Sequence, residues 1–260
     1  MEELISLKEI TVTAQSYEIL SQVSLGIRRG KCTIVMGPSG CGKSTLLKVA
    51  AGLIVPDRGK VFWEGEELSR LSEKKLRQFR KMNGFVFQDA ALWANRSISE
   101  NLALPLQFHH PELSASEIDR QVNGHLARMS LISSSPLRPS QLSQGERKIV
   151  SFLRAIILQP SILFLDEPTS FIDHEMLEKM MKVIGEYRER SCTIVAVTHD
   201  AHLTSMIADD LAVLKEGRVL ASGQLSEVRR NASREVSAIL SQVLSQAATY
   251  DSDLLDLLGG

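Results

Sequence analysis

Apolar and polar residues alternate along the first part of the chain, with Leu4, Leu7, Ile10 and Val12 followed by Ile19, Val23, Leu25 and Ile27. A period near two predicts antiparallel strands with one buried face. Residues 31–36, ending in the run Thr33-Ile34-Val35-Met36, read as a buried strand, and a helix-forming stretch follows to about Gly52. Pro56-Asp57-Arg58-Gly59 marks a turn before a short strand over 60–63. A charged amphipathic helix is predicted over 68–81, then a strand, Gly84-Phe85-Val86-Phe87, ending at Gln88-Asp89.

From about 90 to 159 the pattern turns helical, broken at His109-His110-Pro111 and Ser133-Ser134-Ser135-Pro136, and reads as an inserted helical subdomain. Short β-rich runs return at 162–165 and 192–197, separated by a helix over 176–188. This βαβ order predicts a largely parallel sheet covered on both faces. Residues 211–214 and 218–221, joined through Glu216-Gly217, have the form of a hairpin. The tail places Val236, Ile239, Leu240, Val243 and Leu244 at helical spacing, then ends in a leucine- and aspartate-rich stretch, 251–258. The expected organisation is a cassette over 1–230 and a helical extension over 231–260. Its apolar stripe is expected to seek a second subunit rather than the chain's own core.

Composition narrows the class. Apolar content is 43%, charged content 23% and net charge −1, which fits a globular protein and gives no electrostatic case for nucleic acid. No apolar stretch is long enough to span a bilayer. The amino terminus, Met1-Glu2-Glu3, lacks the basic region of a signal peptide. Three cysteines at no metal-ligand spacing suit a reducing compartment. The expectation is a cytoplasmic protein.

The chemistry starts at Gly37-Pro38-Ser39-Gly40-Cys41-Gly42-Lys43-Ser44-Thr45, between a predicted strand and a predicted helix. In that setting the loop turns consecutive backbone N–H groups toward phosphate oxygens, and the helix N-terminus adds unpaired donors and partial positive charge. Lys43 is placed to reach the β- and γ-phosphates and Ser44 to ligate Mg²⁺. The chain is expected to bind a nucleoside triphosphate. A second apolar run, 161–165, ends in Asp166-Glu167. Running beside the phosphate-loop strand, it would set Asp166 on the metal and Glu167 toward the γ-phosphate as general base. His199 follows another strand toward the same sheet edge, where either a turn residue or a catalytic one is found. Gln88 ends a third; it reads as a contact to metal or water, or as an ordinary loop glutamine. Leu142-Ser143-Gln144-Gly145-Glu146 precedes a helix, and Ser143 with Glu146 has capping-box spacing. Beyond capping, Ser143 and the Gly145 amide have the makings of a second phosphate site, one that serves a nucleotide held by another subunit.

These elements together resemble the ATP-binding cassette (ABC) ATPases, over about residues 4–230. The resemblance implies an α/β P-loop (RecA-like) core with an antiparallel β subdomain and an inserted helical subdomain, ATP and Mg²⁺ as ligands, and ATP hydrolysis. It implies a Walker A loop at 37–45, a Q-loop at Gln88, a signature at 142–146, Walker B at Asp166, catalytic Glu167, a D-loop ending at Asp173 and a switch His199. It also implies two copies closing head to tail on two ATP molecules. Three departures stand out: the signature reads LSQGE where the family has LSGGQ, Ile149, with Lys148 beside it, replaces the arginine that follows it, and no adenine-stacking aromatic stands near residues 13–14. Tyr17 is the nearest substitute. Residues 88–106 resemble the stretch of importer-type and lipid-transport cassettes that receives a coupling helix from a membrane subunit; Trp93 there is read as a partner contact or as subdomain core. The resemblance runs closest to ATPase subunits of Mce-type (Mla-like) phospholipid transporters, with permease subunits as partners at the inner membrane face. Other importer cassettes, for methionine or lipoproteins, share the same chemistry. Non-transport cassettes, such as a division regulator or an iron–sulfur assembly scaffold, are the alternative of a different class.

Overall fold

The computed structural model describes residues 2–247. Two sheets organise them. The first two strands, β1 (Glu3–Ala14) and β2 (Tyr17–Arg28), form the expected antiparallel hairpin, turned at Gln15 and Ser16, which both take positive φ. After β3 (Cys32–Met36) and α1 (Lys43–Ala50), the strands β4 (Arg58–Trp63) and β5 (Glu66–Glu67) extend that hairpin into a sheet ordered β2-β1-β4-β5. The helix predicted over 68–81 divides: Leu68–Arg70 is a 3₁₀ turn and α2 spans Glu73–Met82. Ser72 is the reason, since its extended backbone and its hydroxyl, which accepts from the Lys75 N–H, start a new helix.

The strand β6 (Asn83–Val86) leads into the helical region of α3 (Ile98–His109), α4 (Ala115–Arg128) and α5 (Gln144–Ile156). Capping boxes at Ser97, Ser114 and Ser143 start all three, satisfying N–H groups that have no partner within the helix. The chain returns through β7 (Ile162–Asp166), α6 (His174–Glu189), β8 (Thr193–Val197), α7 (Ala201–Ile207), β9 (Asp210–Lys215), β10 (Arg218–Gln224), α8 (Leu225–Arg230) and α9 (Arg234–Ala247). The second sheet is ordered β10-β9-β3-β8-β7-β6, parallel except for β10.

Alternation along these buried strands splits the core in two. Ile34, Met36, Leu163, Leu165, Ile194 and Leu211 face the helices, whereas Val35, Phe164, Val195, Val197 and Leu214 face α1 and the antiparallel sheet. The three cysteines are buried thiols, with no disulfide among the described residues.

Two expectations are corrected. The strand β7 does not run beside β3, because β8 lies between them. The tail stripe does not stand open for a partner: Val236, Ile239, Leu240 and Val243 are buried in the same core cluster as α5, α6 and β9, and Lys215 holds Glu235 at 2.5 Å. An amphipathic helix takes the nearest apolar face, and the chain's own core supplies one in cis. The Leu244 side chain and the 251–258 stretch lie outside the described residues. Ile239→Ala is therefore expected to cost about 2–4 kcal/mol of unfolding free energy, the range for truncating a buried aliphatic side chain. Urea denaturation of the full chain measures it, and a midpoint equal to wild type would show that α9 adds nothing to the core.

Candidate active site

Three parallel strands end level. Val35 of β3, Val197 of β8 and Asp166 of β7 are in register across the sheet, so the segments after all three leave from one edge. Loop 37–42 leaves β3 and runs into α1, whose N-cap Gly42 gives no side-chain cap. The first N–H groups of α1 thus face the loop without a side-chain acceptor, the arrangement that receives an anion. Lys43 is buried and curls back, its Nζ donating to the Gly37 and Pro38 carbonyls at 2.8 Å each. Cys41 anchors the loop to the β9–β10 hairpin: its thiol donates to the Leu214 carbonyl at 3.4 Å, and its carbonyl accepts from Gly217 at 3.2 Å.

Although β8 intervenes, Asp166 still meets the start of α1, which packs against both β8 and β7. Ser44 Oγ donates to Asp166 Oδ1 at 2.9 Å. Burial pushes the Asp166 carboxyl above its ordinary range; the Ser44 hydrogen bond and the charges of Lys48, Lys148 and Lys43 pull the other way. Glu167 follows with φ +46, a left-handed conformation that turns it out of the strand, and its N–H donates to the Val197 carbonyl at 2.8 Å. Burial pushes its carboxyl up to about 7, against the pull of Lys43 and with a further push from Asp166. His199 Nε2 lies 3.1 Å from Glu167 Oε1. Burial and the Lys43 charge hold the imidazole below its ordinary pKa, and its Nδ1 is buried with no partner among the described residues. A neutral ring carrying its hydrogen on Nε2 satisfies that geometry, donating to Glu167.

Lys43, Ser44, Asp166, Glu167 and His199 thus converge in one chain. Ser143, Gly145 and Asp173 do not join them: no hydrogen bond among the described residues links them to loop 37–45. Ser143 caps α5, and Glu146 turns its carboxylate onto the Ser143 N–H at 2.8 Å, so the unusual acidic residue of the signature is engaged in the cap. Asp173 caps α6 through the Met176 N–H at 3.0 Å. A Cβ on Gly145 would stand 2.5 Å from the Phe171 carbonyl, so only glycine lets the start of α5 touch the 170–173 loop. Phe171 itself is 71% exposed. Tyr17 is 70% exposed at the tip of the first hairpin, not packed in a strand, and Trp93 is 60% exposed rather than filling the helical core.

The role of one residue escaped sequence reasoning. Lys148 on α5 is 2% exposed and donates from Nζ to the Phe87 carbonyl at 3.1 Å and to the Gln88 carbonyl. The available signal was its place on the buried face, one turn from Gly145 and Phe152.

The ABC transporter family profile matches residues 20–170. The methionine import ATP-binding protein MetN 1 of Rhodococcus jostii is 34% identical over 243 residues, 93% of this chain and 71% of that protein. The intermembrane phospholipid transport system ATP-binding protein MlaF of Escherichia coli K12 is 31% identical over 260 residues, 97% of this chain and 96% of MlaF. Among solved structures, the dimeric ATP-binding cassette MJ0796 bound to ADP and Pi in a post-hydrolysis state superposes with a TM-score of 0.78 at 30% identity, over 85% of this chain and 98% of that one. Among the described residues no helix is long and apolar enough to cross a membrane. With its phosphate loop, paired carboxylates and strand order in place, this chain belongs to the ABC transporter family and is one of its ATP-hydrolysing subunits.

Proposed function

We propose that this ATPase powers lipid transport of the Mce/Mla type, working as a head-to-tail pair on membrane permease subunits at the cytoplasmic face. The observation that carries the reading is the extent of the likeness to MlaF. At 97% of this chain it must include α9, outside the 20–170 span of the family profile. The exposed Trp93 supports docking to a permease. Import of methionine is the second reading, favoured by the slightly higher identity to MetN 1. Affinity purification of the full chain from membranes, with mass spectrometry of partners and small molecules, separates the two. Co-purified phospholipid with permease subunits is expected; methionine-binding partners without lipid would overturn the lipid reading.

In the chemistry we assign, water adds to the γ-phosphorus, the bond to the β–γ bridging oxygen breaks, and ADP and phosphate leave. Glu167 takes the proton of the attacking water, and His199 holds that carboxylate in place through Nε2. Lys43 leaves the Gly37 and Pro38 carbonyls to meet the phosphates, and Gln88 orients the water or the metal. Ser143 and Gly145, with Asp173 nearby in sequence to their Phe171 contact, serve the nucleotide of the partner copy. For Mg²⁺ the donor set fits: a hydroxyl and a buried carboxylate are hard oxygen ligands of the kind that ion takes alongside phosphates. The high-lying Asp166 carboxyl is one that a nearby cation would relieve. Ser44 and Asp166 would hold it, with Gln88, and the ion would supply charge neutralisation on the phosphate oxygens.

Glu167→Gln is expected to keep ATP binding while lowering turnover by about 10²–10⁴, the span of general-base loss. Near-normal phosphate release from that variant would remove Glu167 from the role. Gly145→Ala forces the Phe171 loop away from α5, so turnover is expected to fall at least about tenfold while nucleotide binding by one chain is kept; this magnitude assumes that a small misplacement of a catalytic group is costly. Equal loss of binding and turnover would instead make Gly145 part of the cis site.

A further inference from the structure

The loop that carries Gln88 is held to α5 by two cations. Lys148 takes the carbonyls of Phe87 and Gln88, and Arg154 takes those of Ala90 at 3.2 Å and Ala91 at 2.9 Å. Ala90 and Ala91 both have left-handed backbones, φ 64 and 45, so the segment leaves β6 in a tight, unfavourable path that needs external support. The helix lies close enough to give it. A Cβ on Gly84 of β6 would overlap the Ala155 carbonyl of α5, so glycine there admits the helix.

Burying Lys148 is costly, and desolvation acts against its charge; Asp166, Glu167 and Asp89 are the acidic groups that oppose this. A methionine or leucine would fill the same volume without that cost. The two carbonyl acceptors account for what a lysine does there that an apolar residue does not: an ammonium brings three donors on a flexible stem to two adjacent carbonyls.

We propose that Lys148 is a positioning residue for the hydrolytic step. With Arg154, it clasps the backbone of 87–91 to α5, and so fixes the Gln88 amide relative to the helix that begins at Ser143. This rests on the role given to Gln88 above. The clasp makes the Gln88 loop and the signature end of α5 one mechanical unit, so that a shift of the signature on meeting the partner's nucleotide carries Gln88 with it.

The test is a double-mutant cycle in the full-length chain, following kcat and KM for MgATP in Lys148→Met, Gln88→Ala and the double variant, with thermal unfolding as the control for folding. Lys148→Met is expected to lower kcat about tenfold with KM changed less than about twofold. In the Gln88→Ala background the same change is expected to cost less than about twofold, because the group being positioned is already gone. Lys148→Gln, which keeps N–H donors without the charge, is expected to recover at least half of the lost kcat; should Lys148→Met not fold, Lys148→Leu takes its place as the variant without donors. Multiplying effects in the double variant, or unchanged kcat in Lys148→Met, overturn the clasp while leaving Gln88 its role. Unchanged kcat in Gln88→Ala removes that role, and the clasp falls with it.

Discussion

Two adjacent carboxylates end one strand in a place where water is scarce, and much of the site is an answer to that. Burial acts against the charge of both Asp166 and Glu167, and the Asp166 charge adds to the cost of ionising Glu167. What tolerates them is a ring of donors and cations drawn from three different segments: Ser44 and Lys43 from the phosphate loop, His199 from the end of β8, and Lys148 from α5. Ser44, Lys43 and His199 come within reach of the two carboxylates because β3, β8 and β7 end level. The sheet therefore serves less as a core than as a bench on which charge is gathered ready for a triphosphate.

The same helix serves two neighbours. On one side α5 begins beneath the Phe171 loop, where no side chain fits on Gly145. On the other its cations hold the segment after β6. The buried face of α5 thus mixes large apolar residues such as Phe152 with a lysine, which no purely hydrophobic packing requirement explains.

Most of this architecture is readable from the residue pattern. Runs such as Ile162-Leu163-Phe164-Leu165 are short and apolar on both faces, as suits a strand in a covered parallel sheet. The phosphate loop and the Asp166-Glu167 pair are legible because their chemistry demands contiguous residues. Strand order is harder, since nothing local in β7 says that β8 will stand between it and β3. The tail misled for a related reason: an amphipathic stripe announces burial without saying against which chain. Lys148 stayed hidden because its partners are backbone carbonyls, which carry no sequence signature at all.

The strand order also sets a timetable for synthesis. The fully buried β3 pairs only with β8 and β9, as in Cys32 with Ile194 and Thr33 with Asp210. On the ribosome, at about 5–20 residues per second, β3 must wait on the order of ten seconds or more before either partner has been made. During that time the phosphate-loop strand is an apolar segment with both hydrogen-bonding edges open, of the kind that holdase chaperones retain and neighbouring nascent chains can capture. Output of active ATPase is then governed by how well the emerging first third of the chain is shielded, as much as by the stability of the finished fold.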